Sequence, residues 1–358
     1  MKKLKIAFIY AKRFSFYPPD YEGKGIGGTE SYLVLLTRAL AHRGHSVTVF
    51  NCCFKPGVYD GVLWKQLWEL DPREEFDIVI SLRLLEVFRD NVFKAPIRAV
   101  LIQDEALEGA SELDEKGIVN MWISVSETQK SFIERKEKID EKNWFITRNA
   151  YDENIYTNEL RLTKKIKNQT IYCSAPDRGL KFLLEMWPAI KKEVPDATLM
   201  TTGSYALWGT SDEENKRIFG DIYSSKEHLN GVSFLQRISK KDLAKIQAES
   251  EIMLYPTDFN EMFCISALEC LATSTPIITS KRAALIERVE DGRNGFLIEG
   301  KPGTDNFNTE FVNKAVSFLK SEKLKKEFSQ SAIASVSGFD FKSLAESWEA
   351  EFLKRLRI

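Results

Sequence analysis

Two glutamates, Glu261 and Glu269, stand with seven residues between them in the segment Glu261-Met262-Phe263-Cys264-Ile265-Ser266-Ala267-Leu268-Glu269. Glu251 to Pro256 before it reads as an apolar strand closed by proline. A helix over residues 263–272 and a strand over residues 277–279 follow it. The first acid therefore falls in the loop at the carboxyl end of a parallel strand, and the second about two turns on, inside the helix. Ligands of open α/β sheets bind at that edge, and a helix N-terminus there favours phosphate through its free N–H groups. Carboxylates on both sides of such a site can accept hydrogen bonds from sugar hydroxyls flanking a diphosphate. The plainer alternative is one acid at a helix start and another in solvent, and on the spacing alone that alternative stands ahead.

Other residue types narrow the chemistry. Arg178, just before a predicted helix, offers a guanidinium fork to a diphosphate; its alternative is an ion pair with Asp177. Gly27 and Gly28 have no Cβ to keep a ligand from their N–H groups, although a plain tight turn would use them too. Glu30 falls in the first turn of the helix they open, where capping is its expected work. There are only three histidines: His228, plus His42 and His45 in a surface-like turn. Neither a zinc site nor a Ser-His-Asp hydrolase is indicated. Five cysteines without a Cys-x-x-Cys pair read as buried thiols of a reducing compartment, and the expected location is cytoplasmic. A formal charge of -1 gives no pull toward nucleic acid. Gly25-Ile26-Gly27-Gly28 lies too far beyond the first strand, and reads too differently from G-x-G-x-x-G, for a dinucleotide fingerprint.

A chain of 358 residues with 43% hydrophobic content implies two domains. No apolar run approaches the roughly 18–20 residues that span a membrane. The apolar residues after Met1-Lys2-Lys3-Leu4-Lys5 stop at Lys12-Arg13, so they read as a first buried strand, not a signal segment. Strands over residues 4–10, 47–50, 78–80, 99–102 and 122–125 alternate with helical stretches, one of them over residues 29–43. After a polar stretch the pattern restarts, with strands over residues 171–173, 199–202, 233–235, 252–255, 277–279 and 295–298. Helices over residues 180–191, 240–247 and 263–272 lie between them. Such alternation indicates parallel sheets covered on both faces. The fold class is α/β, with two Rossmann-like domains over residues 1–150 and 168–340 and a linker over 151–167. A last helix over 341–358 carries Leu344, Trp348, Phe352 and Leu356 four apart, with Ser343 and Glu346 as a capping box, and should cross back to the first domain.

Taken in order, these pieces resemble the family-4-type retaining glycosyltransferases of the GT-B fold, the glycosyl transferases group 1. The resemblance rests on Gly27-Gly28-Thr29-Glu30 after the first strand, Asn149-Ala150-Tyr151-Asp152 at the linker and Ser174 to Leu180 at the phosphate segment. The E-x7-E stretch and Asp291-Gly292-Arg293-Asn294-Gly295-Phe296-Leu297 complete it. It implies two domains facing across a cleft and transfer of a sugar from a nucleoside-diphosphate sugar to a hydroxyl of a glycan, lipid or small molecule. Glu261 would contact the transferred sugar and Glu269 the ribose. Gly27, Gly28, Ser174, Arg237, Ile238, Met262, Phe263, Cys264 and Ile265 would complete the donor site. No D-x-D pair occurs, so the reaction should need no metal and no cofactor, with Arg178 and helix dipoles stabilising the leaving group. The chain departs from the family pattern at Cys173-Ser174, where an arginine is usual, and at Arg178, which replaces a lysine. Met262 and Cys264 stand where glycines are usual, and Gln103, before Asp104, stands where a histidine is.

Two other readings compete. A nucleotide-sugar epimerase of similar architecture needs proton-handling groups that a histidine-poor chain lacks. A non-catalytic nucleotide-sugar-binding module would not need both acids. Candidate acceptor-side residues are Phe14, Phe16, Gln103 and Asp104. The loop Lys12-Arg13-Phe14-Ser15-Phe16-Tyr17-Pro18-Pro19, where bases and aromatics interleave, should overhang the cleft as an acceptor clamp. Peripheral contact with an anionic membrane surface, and burial of the aromatics in their own domain, are its alternatives.

Overall fold

The computed structural model describes residues 2–11, 15–23, 25–203, 210–224, 229–235 and 238–357. The chain forms two units, Met1–Ala150 with Gly338–Ile358, and Tyr151–Ser337.

The first unit is built on β1 (Lys5–Ile9), β2 (Ser46–Asn51), β3 (Gly57–Tyr59), β4 (Val62–Gln66), β5 (Ile78–Leu82), β6 (Ile97–Leu101), β7 (Met121–Ser124) and β8 (Trp144–Ile146). They hydrogen-bond in the order β3-β4-β2-β1-β5-β6-β7-β8, parallel except for the β3–β4 hairpin at one edge. Sequence reasoning missed that hairpin and β8. The inner strands are apolar on both faces because helices cover both, and Ile6, Phe8, Val49, Ile80 and Ile123 are wholly buried. In this sheet order the direction of winding reverses between β1 and β5, so their carboxyl ends mark the ligand edge of the unit.

The final helix, Phe341–Leu356, closes this unit although the whole second unit precedes it in the chain. Its stripe buries Leu344, Trp348 and Phe352. Trp348 donates its Nε1 proton to Thr147 Oγ1 at 2.7 Å, and Arg43 at the end of helix Gly28–His42 donates Nε to Glu349 Oε2 at 2.7 Å. The cap differs from expectation: the N-cap is Asp340, three residues before Ser343, and its Oδ1 accepts from the Ser343 N–H at 2.8 Å. His45 is also not at the surface. It is buried, with Nδ1 accepting from the Leu4 N–H at 3.3 Å and Nε2 3.4 Å from Glu349, and burial lowers its pKa despite that carboxylate.

The second unit carries β9 (Gln169–Cys173), β10 (Thr198–Thr202), β11 (Val232–Phe234), β12 (Ile252–Tyr255), β13 (Ile277–Ser280) and β14 (Gly295–Ile298). They form a parallel sheet in the order β11-β10-β9-β12-β13-β14, whose winding reverses between β9 and β12. Residues 151–167, expected as a linker, instead pack on this unit. Arg161 Nε donates to the Ala272 carbonyl at 3.1 Å, Lys165 Nζ to Thr275 Oγ1 at 2.6 Å, and Tyr156 OH to Gln247 Oε1 at 2.9 Å. Two helices after β14, Asp305–Leu319 and Glu322–Ala334, went unread in the sequence.

Candidate active site

The carboxyl ends of β9 and β12 bring the sequence-marked residues of the second unit together. β9 leads through Ser174 into a single 3-10 turn, Pro176–Arg178, and Gly179 then starts the helix Leu180–Glu193. Gly179 has φ +114°, and a Cβ there would lie 1.9 Å from the Pro256 carbonyl oxygen just after β12. Only glycine lets the two loops touch, and that contact holds Arg178 beside the E-x7-E segment. Gly203, at the end of β10 with φ +138°, is pressed in the same way, its would-be Cβ 2.1 Å from the Ser174 carbonyl oxygen.

Glu261 is 6% exposed, and its Oε1 receives Arg178 Nη1 at 3.1 Å and the Tyr255 hydroxyl at 2.6 Å. Tyr255 OH also lies 3.3 Å from Ser174 Oγ. Burial and the adjacent carboxylate push the Tyr255 pKa up, so the phenol keeps its proton and serves as a donor. Burial alone would lower the Arg178 pKa, but Glu261 outweighs it and the guanidinium is held above its usual value. The loop is fixed from below: Ala284 N–H donates to the Glu261 carbonyl at 2.9 Å, and Thr257 N–H to Ser280 Oγ at 3.0 Å. Phe259, 40% exposed, lies 4.1 Å from the Arg178 guanidinium carbon at its ring centroid.

The helix after the first acid begins at Ile265, two residues later than expected, because Cys264 is its N-cap with φ +66°. The backbone thus takes a glycine-like conformation without a glycine. Met262, Phe263 and Cys264 are buried and Ile265 is half-buried, so their side chains pack inward. Glu269 sits inside this helix, 4% exposed, and its Oε1 is ion-paired with Lys240 Nζ. Ile238 is half-buried between β11 and the helix Lys240–Glu249, while Arg237 lies outside the described residues.

In the first unit the sequence-marked residues meet different fates. Gly27 is buried and caps the helix Gly28–His42, whose first residue, Gly28, is exposed. Glu30 does not cap that helix. It is buried, and one oxygen accepts from the Tyr10 hydroxyl while, among the described residues, Oε2 has no hydrogen-bond partner. Asp104 forms a two-point pair with Arg83, a residue with φ +67° just after β5 whose Nη1 is 3.5 Å from Thr29 Oγ1. Gln103, preceding it, has a buried Nε2 without a partner among the described residues. Phe16 corrects the acceptor-clamp expectation. It is 0% exposed, its ring 5.3 Å from Tyr10 and 5.9 Å from Trp64, because the sheet beneath offers an aromatic pocket. Phe14, with Lys12 and Arg13, lies outside the described residues.

Sequence reasoning missed Tyr255, Phe259 and Lys240 in the second unit, and Tyr10 and Arg83 in the first. Tyr255 closes an apolar strand and read as core. Lys240 had a usable signal: a cation in the first turn of a helix opposes the dipole and needs an acid elsewhere.

A double-unit parallel α/β architecture with its polar residues at strand ends is the GT-B class, and residues 170–321 match the family model described as Glycosyl transferases group 1. The fold is shared over the whole chain with sucrose-phosphate synthase from Thermosynechococcus elongatus, at TM-score 0.73 and 15% identity over 99% of this chain and 100% of that one. It is shared also with Anabaena HepE, determined in complex with UDP-glucose, at TM-score 0.69 and 16% identity over 97% and 99%. Among curated proteins, spore coat protein SA of Bacillus subtilis (strain 168) is 28% identical over 173 residues, 48% of this chain. That alignment spans 44% of the relative's length.

Proposed function

We propose that the chain is a retaining, metal-independent glycosyltransferase that moves a sugar from a nucleoside-diphosphate sugar to an acceptor hydroxyl. The observation that carries this reading is Glu261, a buried carboxylate held by Arg178 and Tyr255 at the reversal point of the second sheet. The family match over residues 170–321 and the UDP-glucose bound to HepE support the donor class. On arrival of the diphosphate, Arg178 turns from Glu261 to the phosphates, and Tyr255 keeps the carboxylate in place for the sugar hydroxyls. As the bond from sugar carbon to phosphate oxygen breaks, its electron pair stays on the diphosphate, whose charge Arg178 and the N-terminus of helix Leu180–Glu193 stabilise. The acceptor oxygen bonds to the same face of that carbon, and its proton passes to a donor phosphate oxygen. Glu269 accepts from the ribose.

The acceptor, a glycan, lipid-linked or small molecule, is assigned to the first unit, where Glu30, Gln103 and the Arg83–Asp104 pair offer hydroxyl partners. Incubation with UDP-, GDP- and ADP-sugars tests the reading. Release of nucleoside diphosphate that rises with added acceptor supports transfer; an isomerised donor sugar would indicate the epimerase, and no turnover of bound nucleotide sugar the binding module.

A further inference from the structure

Lys240 is a cation in an unfavourable place. It is the first residue of the helix Lys240–Glu249, where the dipole disfavours positive charge. Its ammonium meets Glu269 Oε1 and stands 5.9 Å from the Tyr156 ring centroid. Tyr156 is itself fixed through its hydroxyl to Gln247 Oε1 at 2.9 Å. The pair is lopsided in exposure, the lysine side chain at 20% and the glutamate at 5%, so Lys240 forms its more open side. A buried ion pair of this kind gives little net stability over an apolar pair. It does place an acceptor and a donor side by side.

We propose that Lys240 is a ribose-reading residue and that Lys240 and Glu269 together recognise the vicinal diol of the nucleotide. This rests on the nucleotide-sugar reading above and adds a residue to it. One ribose hydroxyl donates a hydrogen bond to the second oxygen, Oε2, of Glu269. The neighbouring hydroxyl oxygen accepts one of the three ammonium protons, while another stays on Glu269 Oε1. A carboxylate alone accepts from either hydroxyl in several poses. The acid–ammonium pair instead assigns each hydroxyl a role and sets the ribose orientation, and hence the direction in which the diphosphate leaves toward Arg178.

The test is the ribose discrimination ratio. Calorimetry measures binding of UDP, GDP and ADP and of their 2′-deoxy and 3′-deoxy forms to the whole chain and to Lys240→Met. In the wild type, each missing hydroxyl should weaken binding about tenfold, as expected for a lost hydrogen bond to a charged group. In Lys240→Met the penalty for one of the two hydroxyls should fall below about threefold, because its partner is gone. Loss of a positive charge weakens ribo and deoxy ligands alike and cancels in the ratio. Lys240→Arg, which keeps a donor, should retain the discrimination. If Lys240→Met does not fold, Lys240→Met/Glu269→Leu leaves no unpaired carboxylate and should lose discrimination at both hydroxyls. Unchanged ratios in the variants overturn the role of Lys240 while leaving the donor class intact. A wild type that binds none of the nucleotides overturns both.

Discussion

Glu261 and Arg178 form one ion pair, yet their removal should separate. Glu261→Gln keeps the shape and the Tyr255 contact, so nucleoside diphosphate should bind as before while transfer falls at least tenfold; turnover within threefold of wild type would remove Glu261 from the chemistry. Arg178→Ala should weaken the diphosphate by roughly ten- to a hundredfold, the usual cost of a lost charged hydrogen bond, and leave the nucleoside nearly unaffected. Equal losses on both ligands, read by calorimetry, would mean that Arg178 acts through folding. At this scale the sequence was legible where a spacing implied a geometry: Glu261 lies in the loop after β12, Glu269 inside the helix that follows, and Arg178 just before the helix Leu180–Glu193. It was not legible where contact came from a distant element. Nothing around Tyr255 announces a carboxylate six positions away, and the misplaced cation at Lys240 says that an acid is needed without saying that it stands 29 positions on. Phe16 shows the reverse error, since an aromatic loop with bases looks like a clamp until the pocket between Tyr10 and Trp64 takes it up.

Among the elements, the turn after β9 is the one that positions the site. Gly179→Ala would force a Cβ into the Pro256 carbonyl at φ +114° and should cost at least about 1–3 kcal/mol, the scale of one strained residue. The melting temperature should drop and diphosphate affinity should fall with it, because Arg178 is displaced. An unshifted melting temperature would mean that the two loops are free to part. Asp340→Ala removes the side-chain cap of the last helix and should destabilise by about 1 kcal/mol, measured by urea unfolding, without changing nucleotide affinity. The alternation of apolar strands and helices was readable because parallel strands buried on both faces leave long apolar runs. The β3–β4 hairpin was not, since Gly57–Gln66 mixes glycine, charge and aromatics. Its signal was the Asp60-Gly61 pair, with φ +50° and +79°, at the turn between the strands. Residues 151–167 read as a linker for their polarity, but Tyr156, Arg161 and Lys165 use polar ends to tie them to the second unit.

For the whole molecule, two sheets with helices on both faces were legible from the restart of the strand–helix pattern, and a last helix with an apolar stripe was rightly expected to need a partner. What the chain transfers, and to what, is not written in its elements, because a fold sets where a ligand edge lies while individual side chains set what it binds. Lacking a D-x-D pair, the chain should retain its activity in EDTA, assayed as release of nucleoside diphosphate; full loss restored by magnesium or manganese would replace Arg178 with a metal as the counter-charge. The central claim is that the carboxyl edge of the second sheet holds a nucleoside diphosphate with Glu261 at its sugar end. Its most direct test is calorimetric titration of UDP, GDP and ADP into the wild type and Glu261→Gln, alongside turnover of the matching nucleotide sugars. The account predicts that one nucleotide binds both proteins within about threefold, a difference smaller than one lost hydrogen bond, and that only the wild type turns over its sugar. Absence of nucleotide binding to the wild type, or equal turnover by the two proteins, would contradict it.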